Sequence, residues 1–126
     1  MSMRSPLGRA RGLGSAKDGT HHFWVQRISA VALVPLALWF VFSVARYAGA
    51  DYDMTRHWVH APSVAITLVL FIAAALYHSM LGVQVVIEDY VAADGQKIAG
   101  LLLNKFLHAI VAVSAIFAVL KVALGQ

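Results

Sequence analysis

The sequence predicts an all-α membrane protein with three transmembrane helices. The chain has 126 residues, of which 60% are hydrophobic and 13% charged, and its mean hydropathy is +0.74. That charged share is about half the share found in soluble domains. Three apolar stretches approach or exceed the ~20 residues that a helix needs to cross a bilayer. These observations argue against a soluble globular domain.

The chain divides into a short polar tail and one membrane domain. Residues 1–20 form the tail, with one proline and four glycines that argue against a stable helix. Residues 21–126 form the anchor domain, with helices predicted at about 23–47, 62–87 and 97–124. Polar loops are predicted at 48–60 and 88–96.

Two prolines make specific predictions about these helices. Pro35 falls inside the first span, and a kink is expected there because proline has no N–H to donate to the preceding turn. Pro62 stands at the predicted start of the second span, where a missing N–H has no cost.

The charges predict the orientation. Four basic residues lie in the tail, and Arg27 lies at the entry to the first helix. The first loop carries Arg56, with Arg46 at its edge. Because positive charge accumulates on the cytoplasmic side, the N-terminus is predicted to be cytoplasmic and the C-terminus periplasmic. The net charge of +4 is modest, and nucleic-acid binding is a poor explanation for it.

One histidine lies deep inside an apolar span. His78 lies in the middle of the second predicted span, and Gly82 follows one turn later on the same helix face. Polar side chains inside a membrane need partners, and a metal ion is one candidate. A bare glycine beside the imidazole would let a flat macrocycle approach the backbone. Two interpretations stay open: a haem ligand, or a histidine hydrogen-bonded across a helix interface with Gly82 as a packing notch.

The same span ends in Glu88, Asp89 and Tyr90 at the predicted inner boundary. A phenol can donate a hydrogen bond to a quinone carbonyl, and a carboxylate can relay protons. Tyrosine is also common at membrane interfaces, so a purely interfacial role remains the alternative.

The remaining polar residues carry weaker signals. His21 and Arg27 could bind acidic groups such as haem propionates or lipid phosphates, or could serve only as a topology signal. His57 and His60 have no ligand-type residues beside them except Asp51 and Asp53, and a metal site there is disfavoured. His108 and Ser29 are interpreted as helix-interface residues. There are no cysteines, which excludes disulfides and iron–sulfur ligation by this chain.

Two ordered motifs carry a family resemblance. The first is Gly19-Thr20-His21-His22-Phe23-Trp24-Val25-Gln26-Arg27-Ile28-Ser29-Ala30, and the second is His78-Ser79-Met80-Leu81-Gly82 followed by Glu88-Asp89-Tyr90-Val91. The chain resembles the small hydrophobic membrane-anchor subunit of succinate dehydrogenase, respiratory complex II. Its length, three spans and orientation also fit that family.

The resemblance implies roles for individual residues. His78 matches an axial ligand of haem b, and the other ligand would come from a second membrane-anchor cytochrome b subunit. Tyr90 matches the tyrosine that hydrogen-bonds ubiquinone, the substrate, and Asp89 matches its acidic neighbour. Arg27 and, less closely, His21 match basic residues near the haem propionates. His22 stands where some members carry an acid and receives no role.

The resemblance also implies a setting. The chain would lie in the bacterial inner membrane, in contact with lipid, and would hold an iron–sulfur subunit and a flavoprotein subunit on its cytoplasmic side. It would not be catalytic alone, but would belong to an enzyme that oxidises succinate and reduces ubiquinone in the tricarboxylic acid cycle and respiratory chain. Two alternatives remain: a cofactor-free structural anchor, and a small proton-relay or transport subunit that uses His78.

Overall fold

The computed structural model describes residues 6–7 and 17–125. Within residues 17–125 the chain forms four helices: α1 (Lys17–Arg46), α2 (Tyr52–His60), α3 (Pro62–Tyr90) and α4 (Asp94–Leu124). Three of them, α1, α3 and α4, are long and apolar enough to cross a membrane. The predicted all-α fold with three candidate transmembrane helices is therefore confirmed. Most of the basic tail, including Arg4, Arg9 and Arg11, lies outside the described residues.

The first span begins earlier than the sequence indicated. α1 starts at Lys17, so the last residues of the predicted polar tail are helical, and residues 6 and 7 are helical as well. The prediction of a non-helical tail is wrong for these positions, because an extended apolar helix can continue into polar residues that the glycine content alone would disfavour. The helix also continues through Pro35 as one element. The kink stays a prediction.

The first loop contains a helix that the sequence analysis missed. α1 ends in a turn at Gly49, whose φ of 84° lies in the left-handed region that favours glycine. α2 then starts after Asp51, whose carboxylate accepts a hydrogen bond from the Met54 N–H at 2.8 Å. Asp53 lies in the first turn, and His57 and His60 lie in the last turn. The sequence contains this N-cap residue, with an acidic residue in the first turn and histidines in the last turn. These signals could have predicted the helix.

The second and third spans are longer than predicted. Pro62 occupies the first turn of α3, as expected. α3 runs on to Tyr90 and α4 begins at Asp94, so the predicted loop of 88–96 shrinks to residues 91–93. The helical hydrogen bonds continue beyond the apolar residues because polar side chains at the helix ends can be solvated by water. Asp94 in the first turn of α4 also favours that helix end electrostatically.

α3 is the central helix of the bundle. It packs against both α1 and α4, whereas no Cα atom of α1 lies within 8 Å of a Cα atom of α4 among the described residues. Toward the predicted outer side, the rings of Phe40 and Phe71 stack with centroids 4.7 Å apart. Trp58 of α2 stacks on Tyr47 at 5.0 Å and on Trp39 at 6.2 Å. These aromatic contacts close the outer end of the α1–α3 pair.

Polar contacts join α3 to α4 near the middle of the two helices. The Asn104 side chain, only 5% exposed, donates from Nδ2 to the Met80 carbonyl at 2.9 Å. His108 Nδ1 donates to the Asn104 carbonyl at 2.9 Å, and its Nε2 lies 3.2 Å from the Ser79 hydroxyl. The predicted role of His108 as a helix-interface residue agrees with these contacts.

Candidate functional site

The candidate site is built where α1 and α3 cross. Ser29 of α1 lies opposite His78 of α3, and the Ser29 hydroxyl oxygen is 2.9 Å from His78 Nδ1. The same hydroxyl donates to the Gln26 carbonyl, one turn back along α1, at 2.9 Å. Ser29 was predicted only as an ordinary interface residue, so its direct contact with His78 is new. The sequence could not reveal it, because the two residues are 49 positions apart.

The hydroxyl geometry determines the form of the imidazole. The Gln26 carbonyl can only accept, so the single Ser29 proton is used there, and the Ser29 oxygen must accept from His78. His78 Nδ1 therefore carries a proton. In the neutral ring Nε2 then has the free lone pair, which is the atom that a metal ion takes. No hydrogen bond among the described residues joins His78 to another titratable side chain, and none uses Nε2.

The surface beside His78 is open within this chain. A Cβ atom added to Gly82 would meet nothing within 4 Å, so no side chain among the described residues fills the glycine notch. Gly82 is therefore not a packing notch for α1 or α4. An imidazole whose Nε2 makes no hydrogen bond among the described residues, one helical turn from this open glycine, has the chemistry to ligate a haem iron. A complete site would need a second ligand from outside this chain.

The predicted propionate residues lie on other faces of α1. Arg27 is exposed, and its guanidinium carbon lies 4.3 Å above the Phe23 ring. At 100° per residue, Arg27 is roughly 160° from Ser29 around the helix. The exposed His21 is roughly 80° from Ser29. The structure thus does not bring Arg27 to the face that holds His78.

His22, to which the sequence analysis gave no role, lies on the Ser29 face. Seven residues separate the two, which places them roughly 20° apart around α1. The Nε2 atom of His22 is buried and has no hydrogen-bond partner among the described residues. This unpaired nitrogen is a consequence of tertiary packing, which a sequence pattern does not reveal.

Asp89 and Tyr90 lie at the predicted inner end of α3, away from His78. Tyr90 is the last residue of the helix and is 84% exposed. It lies about 18 Å along the axis from His78. Asp89 is exposed and is three turns from His78 on nearly the same face. Its neighbour Glu88 accepts a hydrogen bond from Gln84 at 2.9 Å, whereas Asp89 has no hydrogen bond within the described part of the chain.

The histidines of α2 do not form a metal site. His60 Nδ1 approaches the Val122 carbonyl at 3.4 Å, and His57 is exposed. Across the described residues, no group of three or more His, Cys, Asp or Glu side chains is placed to hold a metal ion.

Three long apolar helices with a polar rim at the end of α3 define a class of protein, the small multi-pass membrane protein. Comparison with known sequences identifies the family. The chain belongs to the family described as the succinate dehydrogenase/fumarate reductase transmembrane subunit, whose profile matches residues 1–120. The resemblance predicted from the two motifs is confirmed.

Several curated relatives support this assignment. The succinate dehydrogenase hydrophobic membrane anchor subunit of Paracoccus denitrificans is 33% identical over 121 residues, covering 96% of this chain and 93% of the relative. The subunit of the same name from Rickettsia bellii is 37% identical over 91 residues, covering 72% and 73%. The succinate dehydrogenase membrane anchor subunit of Reclinomonas americana is 35% identical, covering 69% and 75%. No solved structure matches at a significant level.

Proposed function

We propose that this chain is the membrane-anchor subunit of a succinate:ubiquinone oxidoreductase, in which it supplies one axial ligand of haem b and part of the ubiquinone-reduction site. The observation that carries the proposal is the environment of His78, an imidazole inside an apolar span whose Nδ1 contacts the Ser29 hydroxyl and whose Nε2 makes no hydrogen bond among the described residues. The metal group proposed at His78 is a haem because the chain belongs to the family of succinate dehydrogenase/fumarate reductase transmembrane subunits.

His78 would hold the haem iron through Nε2, and the haem would supply one-electron redox chemistry. Gly82 leaves space for the macrocycle on the same face. The second axial ligand would come from a second anchor subunit, so haem binding and subunit association are thermodynamically linked. Arg27 and His21 are the proposed propionate partners. Because Arg27 lies on another face, its guanidinium would have to leave the Phe23 ring to reach a propionate.

Tyr90 and Asp89 would form the rim of the quinone site. A phenol that is 84% exposed at a helix end is free to donate a hydrogen bond to a quinone carbonyl. Asp89, exposed beside it, can hold a water molecule or relay a proton. The iron–sulfur and flavoprotein subunits would dock on this end. The membrane would be the bacterial inner membrane, with Tyr90 on the cytoplasmic side.

One observation favours a second candidate, the cofactor-free anchor. His78 already has a hydrogen-bond partner across a helix interface, in Ser29. A histidine that serves only helix packing would make the same contact. The two candidates differ in whether Nε2 binds iron.

The test is a dithionite-reduced minus oxidised visible spectrum of the whole complex, solubilised natively and purified through this chain. Sharp b-type bands are expected in the wild type. Replacing His78 with alanine should remove most of the haem signal, because one of the two iron ligands is lost. His108→Ala is the matched control, since it also removes an interhelical imidazole from the membrane, and it should retain haem.

A complex that keeps all its subunits but has no bands in the wild type would favour the cofactor-free anchor. Unchanged haem content in His78→Ala would remove His78 as the ligand. Equal haem loss in both variants would attribute the loss to the bundle rather than to ligation.

A further inference from the structure

We infer that Ser29 is a positioning residue for His78, which holds the imidazole in its Nδ1–H form and increases the basicity of Nε2 toward the haem iron. This inference rests on the proposed haem ligation by His78. It extends that proposal to a residue on a different helix, in a contact made entirely within this chain.

The first support is that the Ser29 hydroxyl has a set direction. Its proton goes to the Gln26 carbonyl on its own helix at 2.9 Å, which leaves oxygen lone pairs facing α3. A hydroxyl without that intrahelical bond could rotate and donate to the imidazole instead. Because the Gln26 carbonyl takes the hydroxyl proton, the Ser29 oxygen is left to accept a hydrogen bond from His78.

The second support is that the contact selects the nitrogen and the ring orientation. Ligating histidines usually donate their other N–H to an acceptor, which fixes the tautomer and raises ligand basicity. Here the acceptor lies 2.9 Å from Nδ1, and it is the single hydrogen bond of the His78 side chain within the described residues. Without it, the ring could rotate, and Nδ1 would be an unpaired donor in an apolar span.

The third support is that α1 and α3 are otherwise held by apolar and aromatic contacts at this interface, including the stacked Phe40 and Phe71. Loss of one hydroxyl should therefore leave the helix pair assembled. A single hydrogen bond between helices in a membrane contributes little to stability on average. The effect of the Ser29 hydroxyl should be visible at the haem rather than in folding.

A matched pair of substitutions separates the hydroxyl from the shape of the side chain. Ser29→Thr and Ser29→Val have nearly the same volume, and only threonine can donate to Gln26 while accepting from His78. The measurements are the haem midpoint potential and the low-temperature EPR g-values in the whole purified complex. Haem retention during detergent dilution is a third readout.

Ser29→Thr should match the wild type. Ser29→Val should raise the midpoint potential, because a less basic imidazole stabilises ferric iron less. It should also shift the g-values and retain haem roughly 10-fold less tightly. Thr67→Val is the control, since Thr67 donates only to the Ser63 carbonyl of its own helix, and it should change none of these readouts.

The outcomes distinguish the positioning role of Ser29 from the proposed haem ligation by His78. If His78→Ala loses haem while Ser29→Val and Ser29→Thr both match the wild type, Ser29 has no positioning role although His78 remains the ligand. If His78→Ala keeps its haem, the ligand assignment itself fails. If the Ser29→Val complex does not assemble, Ser29→Ala is compared with Ser29→Thr by midpoint potential, g-values and haem retention.

Discussion

At the scale of single residues, the polar groups inside the apolar spans form two separate sets on different faces of α3. His78 contacts Ser29 of α1, whereas Ser79 contacts His108 of α4 and the Met80 carbonyl accepts from Asn104 of α4. Consecutive residues of α3 thus point to different partners, as helical periodicity requires. The sequence identified His78 as exceptional because of its depth, but its partner could be found only from the packing of the two helices.

Tyr90 allows a direct test at this scale. Tyr90→Phe should lower succinate:quinone reductase activity on the order of 5- to 10-fold, the effect of losing about one hydrogen bond. Haem content and succinate oxidation with an artificial dye acceptor should not change, because the phenol lies about 18 Å along α3 from His78. The measurement is the ratio of quinone to dye activity in the same preparation.

Tyr77→Phe is the control for that experiment. Tyr77 is also partly exposed on α3, but it lies next to His78 in sequence and far from the helix end. Equal quinone kinetics in Tyr90→Phe and the wild type would remove Tyr90 from the quinone site. Equal impairment in both tyrosine variants would indicate a general effect on α3.

At the scale of helices, the turn after α1 depends on one backbone conformation. Gly49 has φ 84°, and an added Cβ would meet no atom within 4 Å. Any cost of Gly49→Ala must therefore come from backbone strain, about 1 kcal/mol or slightly more. The expected result is a lower thermal midpoint for the complex, measured with a thiol-independent dye or by loss of the haem signal.

Gly95→Ala is the matched control. Gly95 lies in the first turn of α4, has no positive φ, and also has open space around its Cα. Alanine should be neutral or stabilising there, by up to about 1 kcal/mol, because it reduces the entropy of the unfolded chain. A Gly49→Ala complex as stable as the Gly95→Ala complex would contradict the assigned turn.

The helix boundaries illustrate what hydropathy can and cannot predict. The positions of all three spans followed from apolar length, which is the property that a bilayer selects. The end of α3 and the start of α4 were each predicted three residues too short, because helical backbone hydrogen bonds continue into polar sequence. The short helix α2 was missed because it is polar, although its Asp51 cap followed a known pattern.

At the scale of the whole molecule, the chain has very little interior of its own. Among the described residues, the only ones classed as buried are Ala65, Leu68, Leu81 and Asn104. One exposed face of α1 carries the charged Arg27. The other side chains of this face are apolar: Phe23, Val31, Val34, Leu38 and Phe42. Such surfaces are stable only against lipid or another membrane protein. This agrees with a subunit that works within a larger complex.

The orientation of the bundle can be tested directly because the chain has no cysteine. With the N-terminus cytoplasmic, Met54→Cys on α2 should react with a membrane-impermeant maleimide in intact spheroplasts. Ala92→Cys, in the turn between α3 and α4, should react only after permeabilisation. Both positions are exposed. The reverse labelling pattern would place Tyr90 on the outer side and would contradict the proposed docking of the soluble subunits.

By itself, the sequence determined the fold class, the number of spans, the family and the residues worth testing, because these depend on composition, apolar length and short local motifs. The tertiary structure alone decided that α3 is central and that Ser29 rather than Arg27 meets His78. It also decided that His22 Nε2 is buried with no partner among the described residues. These features depend on the rotation of each helix about its axis and on the crossing of α1 with α3. Both are set by side-chain packing between segments far apart in the chain, which no local pattern encodes.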